Sequence, residues 1–103
     1  MPFSAVAIAS FERYVQLRPD TCDSYQFLSQ SYVQKKDTAR AVSCATKALS
    51  LDPESINATY AMAQAYELSG QKKEALQQYQ RLSAMEISSE YRKSLEKKIK
   101  ELQ

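Results

Sequence analysis

The sequence contains no histidine, which removes the commonest general base and the commonest metal ligand. Glycine occurs once. A single glycine cannot build a phosphate cradle, and neither a P-loop nor a GxGxxG motif is present. Cysteine is limited to Cys22 and Cys44, with no CxxC pair, so no zinc cluster can form. The two thiols read as reduced residues that pack as small hydrophobes, with a disulfide as the alternative. No apolar run reaches the about 18 residues of a membrane-spanning helix. The opening Met1-Pro2-Phe3-Ser4-Ala5-Val6 lacks the basic region of a signal peptide. Charge of one sign is lacking too. Fourteen basic and twelve acidic residues leave a formal charge of +2, too balanced to point to nucleic acid or a membrane surface. Carboxylates such as Asp52 and Glu54 read as charge favourable to a helix N-terminus rather than as a catalytic pair. These absences leave no catalytic constellation, no cofactor site and no metal site, and the chain is expected not to be an enzyme.

With only three prolines besides the one glycine, almost nothing interrupts regular structure. The abundance of Ala, Gln, Lys, Glu and Leu favours helix over sheet. The length of 103 residues fits one domain. Its stability is modest unless neighbours help. Shifting the chain against itself by 34 residues superposes Pro19 on Pro53, Ala7 on Ala41 and Ala75, and Leu17 on Leu51 and Met85. The same shift pairs Ile8 with Val42 and Leu76, Tyr32 with Tyr66, Leu28 with Met62, and Thr21 with Ser55 and Ser89. A chance overlap would not preserve residue size at so many positions, and an internal period of this length marks a stacked-repeat architecture.

The first complete copy places Tyr25, Leu28, Ser29, Tyr32, Ala41, Ala45, Ala48 and Pro53 in a pattern of large aromatic, Leu, small, Tyr, Ala, Ala, Ala and Pro. In these residues and this period the chain resembles the tetratricopeptide repeat family. The second copy reads Thr59, Met62, Ala63, Tyr66, Ala75, Tyr79 and Leu82. It departs from the family pattern at Thr59, where an aromatic is usual, and at Ile87, where Pro is usual. The resemblance implies an all-α fold in which antiparallel helix-turn-helix repeats stack as a right-handed solenoid. It also implies a protein-interaction role.

Periodicity agrees independently. Tyr25, Leu28 and Tyr32 form one helical stripe, expected to be buried, and Ala41, Val42, Ala45, Ala48 and Leu49 form another. The small residues of the second let two helix axes approach closely. Thr21, Ser55 and Ser89 are candidate N-caps. Lys36-Asp37 and Ser69-Gly70 break the helix pairs into hairpins, Gly70 supplying a left-handed turn. Six helices are expected, over 3–17, 22–35, 38–50, 56–69, 72–85 and 90–102. Within a single domain over 1–103, residues 1–20 are the second half of a repeat, 21–54 and 55–88 are full repeats, and 89–103 form a C-terminal capping helix. The sequon Asn57-Ala58-Thr59 falls inside a helix and is read as chance.

The first helix carries apolar residues in more than one direction, namely Phe3, Val6, Ile8, Phe11, Tyr14, Val15 and Leu17. Either it caps the stack, or its partner helix is supplied upstream in a longer array or by a second copy. In the last helix Tyr91, Leu95, Ile99 and Leu102 form one stripe, and Arg92, Lys93, Lys97, Lys98 and Lys100 coat the rest as a solvated face. Interleaved Glu96 and Glu101 argue against nucleic-acid binding there.

The resemblance implies a concave groove lined by the first helix of each repeat. Opposite the apolar stripes these helices carry Asp23, Gln26, Gln30, Val33 and Gln34, then Asn57, Tyr60, Gln64, Glu67 and Leu68, with Tyr91 on the last helix. All of these except Leu68 are the expected partner-binding positions. Gln30 and Gln64 are equivalent by the repeat, and their amides both donate and accept, which suits the backbone of an extended peptide. Tyr60 offers a ring and a hydroxyl as an anchor. Family members that grip chaperone C-terminal carboxylates share a clamp of Lys, Asn and Arg. The corresponding positions here are Gln26, Gln30, Ala61, Tyr91 and Leu95. None is basic, so no carboxylate clamp is expected. The expected function is therefore a scaffold binding a protein or peptide, in the cytoplasm or nucleus, without nucleic acid or membrane. The alternative is a segment of a larger superhelix, or a module that self-associates through the first helix.

Overall fold

Local signals in each turn set the helix boundaries. A computed structural model describes residues 5–18 and 20–103, apart from the side chains of 5–8 and 11. The expectations placed on Phe3, Val6, Ile8, Phe11 and Pro19 lie outside that description. The described chain is helical throughout and contains no strand. Its elements are α1 (Ala5–Leu17), α2 (Cys22–Gln34), α3 (Thr38–Leu51), α4 (Ile56–Leu68), α5 (Lys72–Ser83) and α6 (Ser89–Leu102).

Thr21 and Ser55 cap α2 and α4 as expected, their hydroxyls accepting from Ser24 N and Ala58 N at 3.1 Å. The third cap differs. Ser88, not Ser89, precedes α6 and accepts from Tyr91 N at 3.1 Å. The strict repeat is shortened by one residue where Ile87 replaces the proline of the preceding copy and packs partly buried against the core.

Both hairpins close alike. Lys36 N donates to Val33 O at 3.1 Å and Asp37 N to Tyr32 O at 2.9 Å. One repeat later, Gly70 N donates to Glu67 O at 3.1 Å and Gln71 N to Tyr66 O at 2.9 Å. This Schellman closure needs a left-handed residue at its centre. Gly70 adopts φ +83°, and Lys36 adopts φ +60° at the equivalent position.

The helices pack in sequence, α1 on α2, α2 on α3, α3 on α4, α4 on α5 and α5 on α6, and α2 also packs on α4. Ala41, Ala45 and Ala48 on α3, and Ala58, Ala61, Ala63 and Ala65 on α4, are fully buried. Without long side chains the helix axes close up, as interior packing density requires. One core gathers Ala45, Ala61 and Met62, with Val42, Leu49 and Tyr66 packed against it. The other gathers Ala63, Ala75, Tyr79, Leu82 and Leu95, with Tyr91, Ile99 and Leu102 of the α6 stripe against it. Each large side chain so buried stabilises the fold by about 1.5–3 kcal/mol.

On α2 the expected buried stripe is only half-buried. Tyr25, Leu28 and Tyr32 keep partial exposure, while Ser24, Gln26, Ser29 and Ser31 are buried. Close approach to α3 selects the small side chains. Ser29 Oγ donates to Ala41 O at 2.7 Å, which satisfies its hydroxyl where an apolar residue would have needed no partner.

The stacking opens at one end. Helices α2 and α4 approach within 8 Å between Cα atoms, but no Cα of α4 comes that close to α6. Side chains fill the space between them.

Candidate functional site

Helix α4 carries Asn57, Tyr60, Gln64 and Glu67 at helical spacing along one side. Helix α6 carries Tyr91, Ser94 and Lys98 at the same spacing. These two rows line the opening between α4 and α6. Two clefts lie there, and Tyr60 lines both. One, of about 450 Å³, is walled by Val33, Gln64, Glu67, Leu68 and Lys98. The other, also about 450 Å³, is walled by Asn57, Tyr91, Ser94, Leu95 and Lys98. Tyr79 of α5 lines both.

The aromatic rings form a connected group. Tyr60 meets Tyr79 edge-on with centroids 6.1 Å apart, and lies tilted 6.5 Å from Tyr91, within the range favourable for aromatic pairs. Beneath them is a three-residue polar link. Tyr79 donates its hydroxyl to Glu67 Oε1 at 2.9 Å, and Lys98 Nζ lies 2.7 Å from Glu67 Oε2. Tyr79 is 2% exposed. Its phenol is held well above the ordinary value by burial, then by its hydrogen bond to the Glu67 carboxylate. The Lys98 ammonium is raised by its hydrogen bond to Glu67, with burial opposing. Tyr91 is raised by burial, with the neighbouring Tyr60 adding. All three side chains therefore hold their protons well beyond neutral pH.

Six of the expected positions come together here, namely Val33, Asn57, Tyr60, Gln64, Glu67 and Tyr91. Asp23, Gln30 and Gln34 lie on α2 outside both clefts. Gln26 departs furthest. It is 5% exposed, and its amide donates to Gln30 Oε1, so it supports Gln30 from below the surface. Sequence reasoning missed Tyr79, Ser94, Leu95 and Lys98. Lys98 was legible from its spacing of seven residues from Tyr91, but the surrounding charge run assigned it to the solvated face. Of the clamp-equivalent positions, Gln26, Ala61 and Leu95 are buried. The cation in the cleft wall, Lys98, is already paired.

Both cysteines are free and half-buried. Burial is the main influence raising each thiol above its ordinary value, as expected of packing residues rather than nucleophiles. Among the described residues no group of three or more Cys, Asp or Glu is placed to hold a metal ion. Among the described residues no helix is long and apolar enough to cross a membrane.

A family model described as "Anaphase-promoting complex, cyclosome, subunit 3" matches residues 5–82, and the family is of the tetratricopeptide-like repeat type. No curated protein shows a significant sequence match to the chain.

Proposed function

Since the chain belongs to the anaphase-promoting complex, cyclosome, subunit 3 family, whose tetratricopeptide-like repeats are generally protein-interaction modules, we propose that it holds a peptide segment of a protein partner in the opening between α4 and α6. The observation that carries this reading is the pair of clefts around Tyr60, walled by aromatic, apolar and uncharged polar side chains and by the paired Glu67 and Lys98. Concave, mostly apolar sites with a few polar groups are where ligands are retained. The partner-contacting residues are Val33, Asn57, Tyr60, Gln64 and Tyr91. Repeats of this type are generally scaffolds rather than enzymes, and the site works by complementarity, without catalysis, in the cytoplasm or nucleus. A chaperone tail is not its ligand, because the carboxylate would have to compete with Glu67 for Lys98. A nucleic acid would meet the same competition.

The test is protein capture by the wild-type chain and by a Gln64→Ala/Tyr91→Ala double variant, with helical circular dichroism as the folding control. A partner retained by the wild type and lost by the folded variant supports the groove. A partner retained equally by both places the contact elsewhere.

A second reading rests on α1. It packs on α2 alone among the described helices, and Leu17 at its end is 73% exposed. Such a helix suits stacking against a further repeat or a second copy. A sedimentation coefficient that stays monomeric across a concentration series removes the second-copy form of it.

A further inference from the structure

We propose that the two clefts take a proline-rich segment in the polyproline II conformation; this deepens the groove reading and rests on it. The first argument is charge. Glu67 and Lys98 are the only ionised side chains lining either cleft, and they are bound to each other at 2.7 Å. The pair neutralises itself, so the clefts offer no net charge to attract a charged ligand and favour an uncharged one.

The second argument is hydrogen-bond polarity. Each oxygen of Glu67 already accepts one hydrogen bond, from Tyr79 and from Lys98. The hydroxyls of Tyr60 and Tyr91 and the amides of Asn57 and Gln64 have no hydrogen-bond partner among the described residues. Four uncharged groups, each able to donate as well as accept, therefore stand open. Their donors can serve a backbone of carbonyls without N–H groups, which proline supplies.

The third argument is shape. The Tyr60 ring packs on both Tyr79 and Tyr91, and Tyr79 is buried, so a ligand lies across Tyr60 and Tyr91. Polyproline II repeats every three residues at about 3.1 Å each, placing residues i and i+3 on one side about 9 Å apart. A step of that length spans one tyrosine ring, and Tyr60 borders both clefts. Such segments are preformed and lose little entropy on docking in aromatic-lined grooves.

The experiment titrates the full chain with capped decaproline, following tyrosine emission, which is unobscured because the chain has seven tyrosines and no tryptophan. Comparison decapeptides, also capped, are Gly-Ser, Glu-rich and Lys-rich. Saturable binding of decaproline is expected, changing less than about twofold between roughly 0.05 and 0.5 M salt. Tyr91→Phe keeps the ring packing and removes one donor, and should weaken binding about fivefold, the value of one hydrogen bond. Gln64→Ala should weaken it as well. Equal binding of the Gly-Ser peptide, decaproline binding indifferent to both variants, or no binding at all would each overturn the proposal. Binding of a charged peptide alone, sensitive to Tyr91→Phe, would overturn it while leaving the groove reading intact. The protein-capture test with the double variant judges that reading separately.

Discussion

The two hairpins carry complementary defects, and Gln71→Asp exploits one of them. Asp37 and Gln71 are the N-caps of α3 and α5 and have nearly the same backbone, at φ −90°, ψ 85° and φ −86°, ψ 71°. Asp37 accepts from Arg40 N at 3.2 Å, whereas Gln71 makes no side-chain cap bond. A shorter acid at 71 places a carboxylate oxygen where the α5 amides lack a partner. The substitution gives up only an exposed hydrogen bond from Ser69 Oγ to Gln71 Oε1. A good cap is worth about 1 kcal/mol. In a domain near 100 residues that raises the melting temperature by roughly 4 °C or more. Urea unfolding followed by far-ultraviolet circular dichroism measures it, as a higher midpoint at unchanged m-value. Asp37→Ala should lose a similar amount and serves as the reciprocal control. An unchanged or lower midpoint for Gln71→Asp, with Asp37→Ala destabilising as expected, would refute the reasoning.

Lys36→Gly should stabilise by about 0.5 kcal/mol, since relief of the left-handed penalty of about 1–2 kcal/mol exceeds the extra entropy of an unfolded glycine; the same urea midpoint reads it. Ser88→Ala should cost about 1 kcal/mol and Ser89→Ala close to nothing, and the reverse order would return the α6 cap to the strict repeat position. The raised Lys98 pKa makes the Glu67 link a contribution fully present below about pH 10.4 and lost as pH rises through the folded-state value. Because the pair is about one-third exposed, its worth is below about 1 kcal/mol; Lys98→Met should flatten that part of the alkaline fall in the urea midpoint, and an unchanged profile would contradict the link.

The helices were legible because their signals are local. Thr21 and Ser55 announce helix starts, Gly70 announces a left-handed stop, and apolar periodicity fills the spans between. The failures concern what one helix does to another. Ser24, Ser29 and Ser31 look like surface residues by type, and only the approach of neighbouring helices makes small size matter more than polarity. Gln26 looked solvent-facing for the same reason. Ser88 and Ser89 are indistinguishable by composition, and a strict repeat selects the wrong one. Six of the expected positions fall together along the clefts because first helices repeat their facing side every 34 residues. Tyr79 comes from a second helix, and its reach to Glu67 depends on a crossing geometry that spacing along the chain does not encode. Lys98 sits among lysines of the same type, and only the proximity of Glu67 distinguishes it.

Because no main-chain contact crosses from α4 to α6, the aperture there is dimensioned by interchangeable parts. Residues 60, 67, 91 and 98 act as spacers, so swapping them re-gauges the slot while the alanine-packed helices elsewhere keep their geometry. The width of this slot can therefore drift, or be engineered, largely apart from the architecture that carries it.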